Sequence, residues 1–316
     1  MRARFALAGE HLLPLGTLSS VKQALKHMRD MMRLCRADNM GLRDIIPAMM
    51  LRLDLDQDCY DFVKWWATGT DDNYDRGDMS LPYLSTRDAD PFEHPGYILG
   101  KFASLNGILA ILLLKLKILV DIRYIRTARR VLARFSLPPE MSALVERDVV
   151  RSPLSRKLAG KPTKFLLQTQ STLIKQIRKL GAALVKANSY FMVHLFNPDE
   201  ALSQLPSAYS MGSPEEMILA MRNWYAAFWE TAGVLDLLVD ARACAARDAH
   251  DEIEKLLRKS CYSHTIEEVR ETVGLKHLWG FLDRAVEDAI SLRRPPRSTT
   301  PPRPVPPTQP KYSIVA

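Results

Sequence analysis

Cysteine is scarce in this chain. Four residues, Cys35, Cys59, Cys244 and Cys261, are too few and too scattered in 316 positions for a disulfide framework. Two of them fall on apolar stripes of predicted helices, which suggests reduced, buried thiols and an intracellular setting, cytoplasmic or nuclear. The N-terminus lacks an apolar signal region with a small-residue cleavage site. Long apolar runs are missing too. The longest covers 108–114 and extends to Val120 only across Lys115 and Lys117. A membrane span needs about 20 predominantly apolar residues, so a wholly buried helix is expected there and no membrane span.

Catalytic and cofactor signatures are equally sparse. There is no GxSxG elbow and no GxxxxGK phosphate loop, and the few glycines mark helix ends. Zinc requires four converging ligands, yet Cys261 and His264 form the only close Cys–His pair. DDNYDRGDMSLP places Asp71, Asn73 and Asp75 like the first ligands of a calcium loop. Its glycine, Gly77, falls one place late, and Pro82 stands where a bidentate glutamate is needed, so a solvated acidic loop is expected. The reading is a protein without catalytic, metal or cofactor residues, and not an enzyme.

What the chain does contain is helical periodicity. In 34–66, Asp38 or Asn39 supplies an N-cap, and Ile45, Ile46, Met49, Met50 and Leu53 share one helical face. Asp56 is expected to cap a second helix, whose stripe is Cys59, Tyr60, Val63 and Trp66, with Asp58, Asp61 and Lys64 outward. Pro47 inside the first helix predicts a kink. Ala24 and Cys59 occupy matching places 35 residues apart, close to the roughly 34-residue period of tetratricopeptide repeats. With the N-terminal MRAR, the DNMG turn and the segment from Asn197 to Leu238, this stretch resembles a tetratricopeptide-like family of bacterial and fungal proteins. The resemblance implies helical-hairpin repeats with no established activity. Further helices are expected over 97–135, ended by Pro138-Pro139, and over 164–187, with an irregular basic stretch over 138–162 between them. Ser213-Pro214-Glu215-Glu216 and Thr265-Ile266-Glu267-Glu268 carry capping boxes at two more helix starts.

Charge divides the chain. Between Arg123 and Ala187 lie fifteen Lys and Arg against three acids, so this segment is net +12 in a chain of net +8. Four parts follow: tetratricopeptide-like helical repeats over 1–122, a basic helix and loop insertion over 123–162, a C-terminal helical region over 163–290, and a disordered proline-rich tail over 291–316. The fold class is all-α. Arg126, Arg129, Arg130, Arg134, Arg151, Arg156, Lys157, Lys161 and Lys164 form a candidate basic patch for nucleic acid or an anionic membrane face. Trp65, Trp66, Trp224 and Trp229 are candidate interaction anchors, because one member of each adjacent aromatic pair points off the main stripe. The functional expectation is a non-catalytic scaffold that binds protein partners through its repeat surface. Nucleic-acid or anionic-surface binding through 123–164 is the alternative.

Overall fold

The computed structural model describes residues 1–69, 74–75, 78, 80–100, 104–135, 137–259 and 265–287. Among them every regular element is helical. The first is α1 (Arg2–Ala6), which runs through a π-helical stretch (Leu7–Leu12) into α2 (Leu13–Leu15). Then come α3 (Leu18–Leu34), α4 (Leu42–Arg52), α5 (Asp56–Thr68), a 3-10 turn (Pro95–Ile98) and α6 (Leu105–Leu132). The chain continues with α7 (Pro139–Asp148), α8 (Pro153–Arg156), α9 (Thr163–Ala187), α10 (Phe191–Phe196), α11 (Asp199–Ser203) and α12 (Pro214–Glu230). It ends in α13 (Val234–Asp248), α14 (His250–Lys259), α15 (Ile266–His277), a 3-10 turn (Leu278–Phe281) and α16 (Leu282–Glu287). The proline-rich tail, Asp71, Asn73, Gly77, Cys261 and His264 lie outside the described residues.

Local chemistry accounts for most boundaries. Thr17 caps α3 reciprocally with Ser20, and Thr265 caps α15 reciprocally with Glu268. Asp38 sits in the left-handed region, where a short polar side chain is tolerated, and its carboxylate accepts from Leu42 N at 2.7 Å and Arg43 N at 2.9 Å. Two expectations change. Asp56 is the first residue of α5 and its carboxylate faces the core instead of capping the helix. The segment 138–162 is not irregular: Pro139 takes the first turn of α7 and Pro153 that of α8. A proline is pre-organised for a helix start as readily as for an end.

The fold is organised around α6. Its residues from Ile108 to Arg123 are all buried, Lys115, Lys117, Asp121 and Arg123 included. Around it pack α4, α5, α9, α12 and α13, with α7 and α8 nearer its C-terminal half. The apolar run at 108–114 is therefore enclosed by protein on every side. Among the described residues no helix is long and apolar enough to cross a membrane. One hydrophobic cluster extends from Ala8 to Val286, and Ile253, Val269 and Val273 form a small satellite between α14 and α15.

On the far side of α6, α9 meets the turn at 278–281 through a glycine. A Cβ on Gly181 would stand 2.3 and 2.4 Å from two ring atoms of Trp279. The ring has little room to retreat, since Arg178 Nε donates to the Trp279 carbonyl at 3.0 Å. Alanine at a helix interior gains about 1 kcal/mol over glycine. Overpacking a filled contact costs about 1–3 kcal/mol. With ring overlap this severe the second effect wins, so Gly181→Ala is expected to lower the melting temperature in differential scanning calorimetry. A raised midpoint would contradict the packing described.

Candidate functional site

Two buried ammonium groups on α6 require partners, because an unpaired charge in a protein interior is very costly. Residues two apart on a helix point about 200° apart, so Lys115 and Lys117 recruit separate sets. Lys117 Nζ lies 2.6 Å from Asp54 Oδ1 and 2.8 Å from Asp56 Oδ1, with Asp56 fully buried. The other Asp56 oxygen accepts from the Ser152 hydroxyl. The adjoining Asp121 carboxylate accepts from Arg151 N at 3.1 Å and Ser152 N at 2.9 Å. Burial pushes the Asp121 carboxyl up, against these N–H groups and the Lys117 charge. Arg151 Nε closes on Asp54 at 2.8 Å, and its guanidinium also donates to the Glu230 carbonyl. Arg52 forms a bidentate pair with the Glu230 carboxylate at 2.9 and 2.7 Å. One network thus fastens α4, α5, α6, the 150–152 loop and the end of α12.

Lys115 belongs to the opposite face. Its ammonium donates to the Pro91 carbonyl at 2.7 Å, the Glu93 carbonyl at 3.3 Å and Gln176 Oε1 at 2.7 Å. Gln176 Nε2 returns to the Phe92 carbonyl at 2.8 Å. The Glu93 carboxylate accepts from Tyr60 Oη at 2.7 Å and pairs with Lys64 at 2.6 Å. Asp61 adds the N–H groups of Asp88 and Ala89. Of the residues read as outward on α5, Asp61 and Lys64 therefore hold the 88–93 loop against the helix, while Asp58 pairs with Arg29 at 2.8 Å. Burial pushes the Lys115 ammonium down to about 8, opposed by Asp90 and Glu93.

The nine basic residues singled out from sequence divide. Arg151 is consumed by the first network. Arg126 pairs bidentately with Glu287 and reaches Gln170 Oε1 at 2.7 Å. Arg129 grips Glu146 at 2.7 and 2.9 Å and also donates to Thr163 Oγ1 at 3.1 Å and the Lys161 carbonyl at 2.7 Å. Gly160 N completes this knot with a 2.8 Å bond to Glu146. Burial would raise the Glu146 carboxyl, but the Arg129 guanidinium and the Gly160 N–H outweigh it and hold it below the usual glutamate range. The remaining six, Arg130, Arg134, Arg156, Lys157, Lys161 and Lys164, are exposed. The Arg129–Glu146 knot binds the end of α6, α7, the 157–162 turn and the start of α9 into one end of the molecule, and five of these six lie on those segments. Arg156 ends α8, next to the turn.

That end is also apolar. Phe135 is 61% exposed and Leu144 52%, and Val131, Leu137, Met141 and Phe165 are exposed on the same stretches of chain. On α7, Met141 and Leu144 share a face with Arg147 and Asp148, while Glu146 points inward. The tryptophans behave differently. Trp65 and Trp66 are both buried, because Tyr74 and Tyr83 cover the face that the main stripe leaves open: Trp65 meets Tyr74 at 5.5 Å and Tyr83 at 5.0 Å, edge to face. Trp224 is fully buried, and its Nε1 donates to Asn106 Oδ1 at 2.9 Å. Trp229 is half-buried against Tyr225 at 6.0 Å.

The buried networks escaped the residue-level reading. A usable signal was present, since two lysines inside an otherwise unbroken apolar helix demand buried carboxylates or carbonyls elsewhere. Among the described residues no three His, Cys, Asp or Glu side chains converge so as to hold a metal ion. Comparisons with protein-family models, with curated proteins and with solved structures each find no match. Fold and site define the class directly: an all-helical protein with two buried ionic networks on one helix and a cationic, apolar-studded end.

Two outcomes follow from the networks. Lys117→Met strands Asp54 and Asp56 and is expected to cost about 3–5 kcal/mol, measured by urea unfolding. Adding Asp56→Asn should recover part of the loss, and an additive double variant would remove the pairing from the account. For Lys115, the native ammonium gives up its proton near 8 and the unfolded one near about 10.4. Between these values the unfolded state binds more protons, so this group's contribution rises with pH. The stability of the parent relative to Lys115→Met should therefore climb between about pH 8 and 10. A flat difference would contradict the burial of a charged Lys115.

Proposed function

We propose that this chain is a non-catalytic binding protein that engages an anionic surface through the α6–α9 end. One observation carries the reading: six cations predicted as a binding patch remain exposed after the internal carboxylates are satisfied, at an end held rigid by Arg129 and Glu146. Elsewhere the buried Lys115, Lys117, Asp56 and Asp121 are occupied by internal partners, which supports a structural role for them. Free thiols at Cys35, Cys59 and Cys244 agree with a cytoplasmic or nuclear setting.

A protein-interaction scaffold on a tetratricopeptide-like repeat surface is the second reading. Its support is the consecutive packing of α3 on α4 and α4 on α5, with the matched small residues Ala24 and Cys59 fully buried. It ranks second because Trp65, Trp66 and Trp224, expected as anchors, are committed to the core.

The test is retention on a sulfated polysaccharide column as a function of salt. The parent is expected to bind at low ionic strength and elute progressively with salt, as exposed ion pairing does. Changing Arg134, Arg156, Lys157 and Lys161 to Ser should abolish retention with the melting temperature unchanged, since these side chains support no buried structure. Equal retention of parent and variant would place the binding charge elsewhere and overturn the reading.

A further inference from the structure

We propose that the α6–α9 end docks onto an anionic phospholipid bilayer, with Phe135, Leu137, Met141 and Leu144 entering the headgroup boundary while the surrounding cations meet lipid phosphates and carboxylates. The inference rests on the anionic-surface reading and names its partner.

Three observations select lipid. The first is charge complementarity. Between 130 and 167 the exposed cations are Arg130, Arg134, Arg147, Arg156, Lys157, Lys161 and Lys164, against only Glu140 and Asp148 as exposed carboxylates. Polybasic segments of this kind are attracted to acidic leaflets within a Debye length. The second is the chemistry of the exposed apolar groups. Leu137, Met141 and Leu144 are aliphatic or thioether side chains without a stacking face, and only Phe135 and Phe165 supply rings. Single-stranded nucleic acid uses ring stacking, base after base, and gains nothing from an exposed leucine. The hydrocarbon boundary of a bilayer rewards such a side chain directly.

The third is arrangement. The apolar groups stand on the last turn of α6 and the connection that follows it, on the outer face of α7 and on the first turn of α9, with Arg130 and Arg134, Arg147, and Lys164 exposed on the same stretches. Interleaving of this sort lets each inserted side chain sit beside a cation at headgroup level, as lysine and arginine stems allow. Glu146, the buried acid of α7, neutralises Arg129 from inside and keeps the outer face free of a third carboxylate. The Arg129–Glu146 knot also fixes the three segments before binding, so little ordering is required on contact.

The experiment is vesicle flotation of the full chain with phosphatidylcholine alone and with phosphatidylcholine mixed with phosphatidylserine. Two variants accompany the parent: one with Arg134, Arg156, Lys157 and Lys161 changed to Ser, the other with Phe135, Met141 and Leu144 changed to Ser. All seven side chains are exposed, and unchanged melting temperatures establish that both variants fold. The parent is expected to float with the acidic vesicles and not with the neutral ones. The first variant should lose roughly fivefold in partitioning for each cation removed. The second should lose at least about tenfold while eluting from the polysaccharide column with the parent. Undiminished flotation of the second variant would overturn insertion. Column retention without flotation of the parent would overturn the lipid assignment and leave the anionic-surface reading standing, and loss of both would end both. Mixed-sequence RNA displacing the vesicles, and binding the second variant as tightly as the parent but not the first, would point to nucleic acid instead.

Discussion

Two lysine ammoniums buried on one helix constrain the whole molecule. Lys115 and Lys117 point to opposite sides of α6, and each is tolerated only because distant segments arrive to surround it. Lys117 needs the α4–α5 turn, where Asp54 takes a left-handed conformation and stands beside Asp56 over a single nitrogen. Lys115 needs the carbonyls of the 91–93 loop and the amide of Gln176. A hydrophobic isostere at either position would relieve the desolvation cost but would cease to specify which loop docks where. In this chain the buried charges act as addresses for the connecting segments.

The same logic extends outward along α6. Arg123 is still buried, Arg126 and Arg129 are partly so and spend their charge on Glu287 and Glu146, and Arg130 and Arg134 are exposed. One helix thus passes from an ionic core to a cationic surface within three turns. The inner arginines build the platform and the outer ones decorate it. This gradient gives the α6–α9 end both rigidity and unspent charge, the two properties a docking surface needs.

Much of the fold was legible in the sequence. The stripes of 42–66, the capping box at Thr265, the serine cap at Ser213 (where the Glu216 carboxylate takes Gly212 N instead of completing a box) and the burial of 108–114 follow from periodicity and capping chemistry, which are local. Non-local effects were not legible. Asp56 reads as a cap because an acid before an apolar stripe normally is one. Its true partner, Lys117, lies 61 residues away. Trp65 and Trp66 read as a core residue beside an exposed one, since no local rule foretells that Tyr74 and Tyr83 cover the second face. Pro138-Pro139 reads as a stop although the second proline opens α7. Of the candidate site, the cations were legible as a group, but only the three-dimensional pairing separates Arg126, Arg129 and Arg151, which build the structure, from the six that face solvent.

The central claim is that α6 holds separate parts of the molecule through separate buried charges. Native-state hydrogen exchange of the parent and of Lys117→Met tests it most directly, because local openings are resolved segment by segment. The account predicts that the variant loses protection at the end of α4, the start of α5 and the 150–156 segment, while α9 around Gln176 keeps its parental protection relative to global unfolding. Protection lost evenly across α6 and α9, or retained throughout, would contradict it.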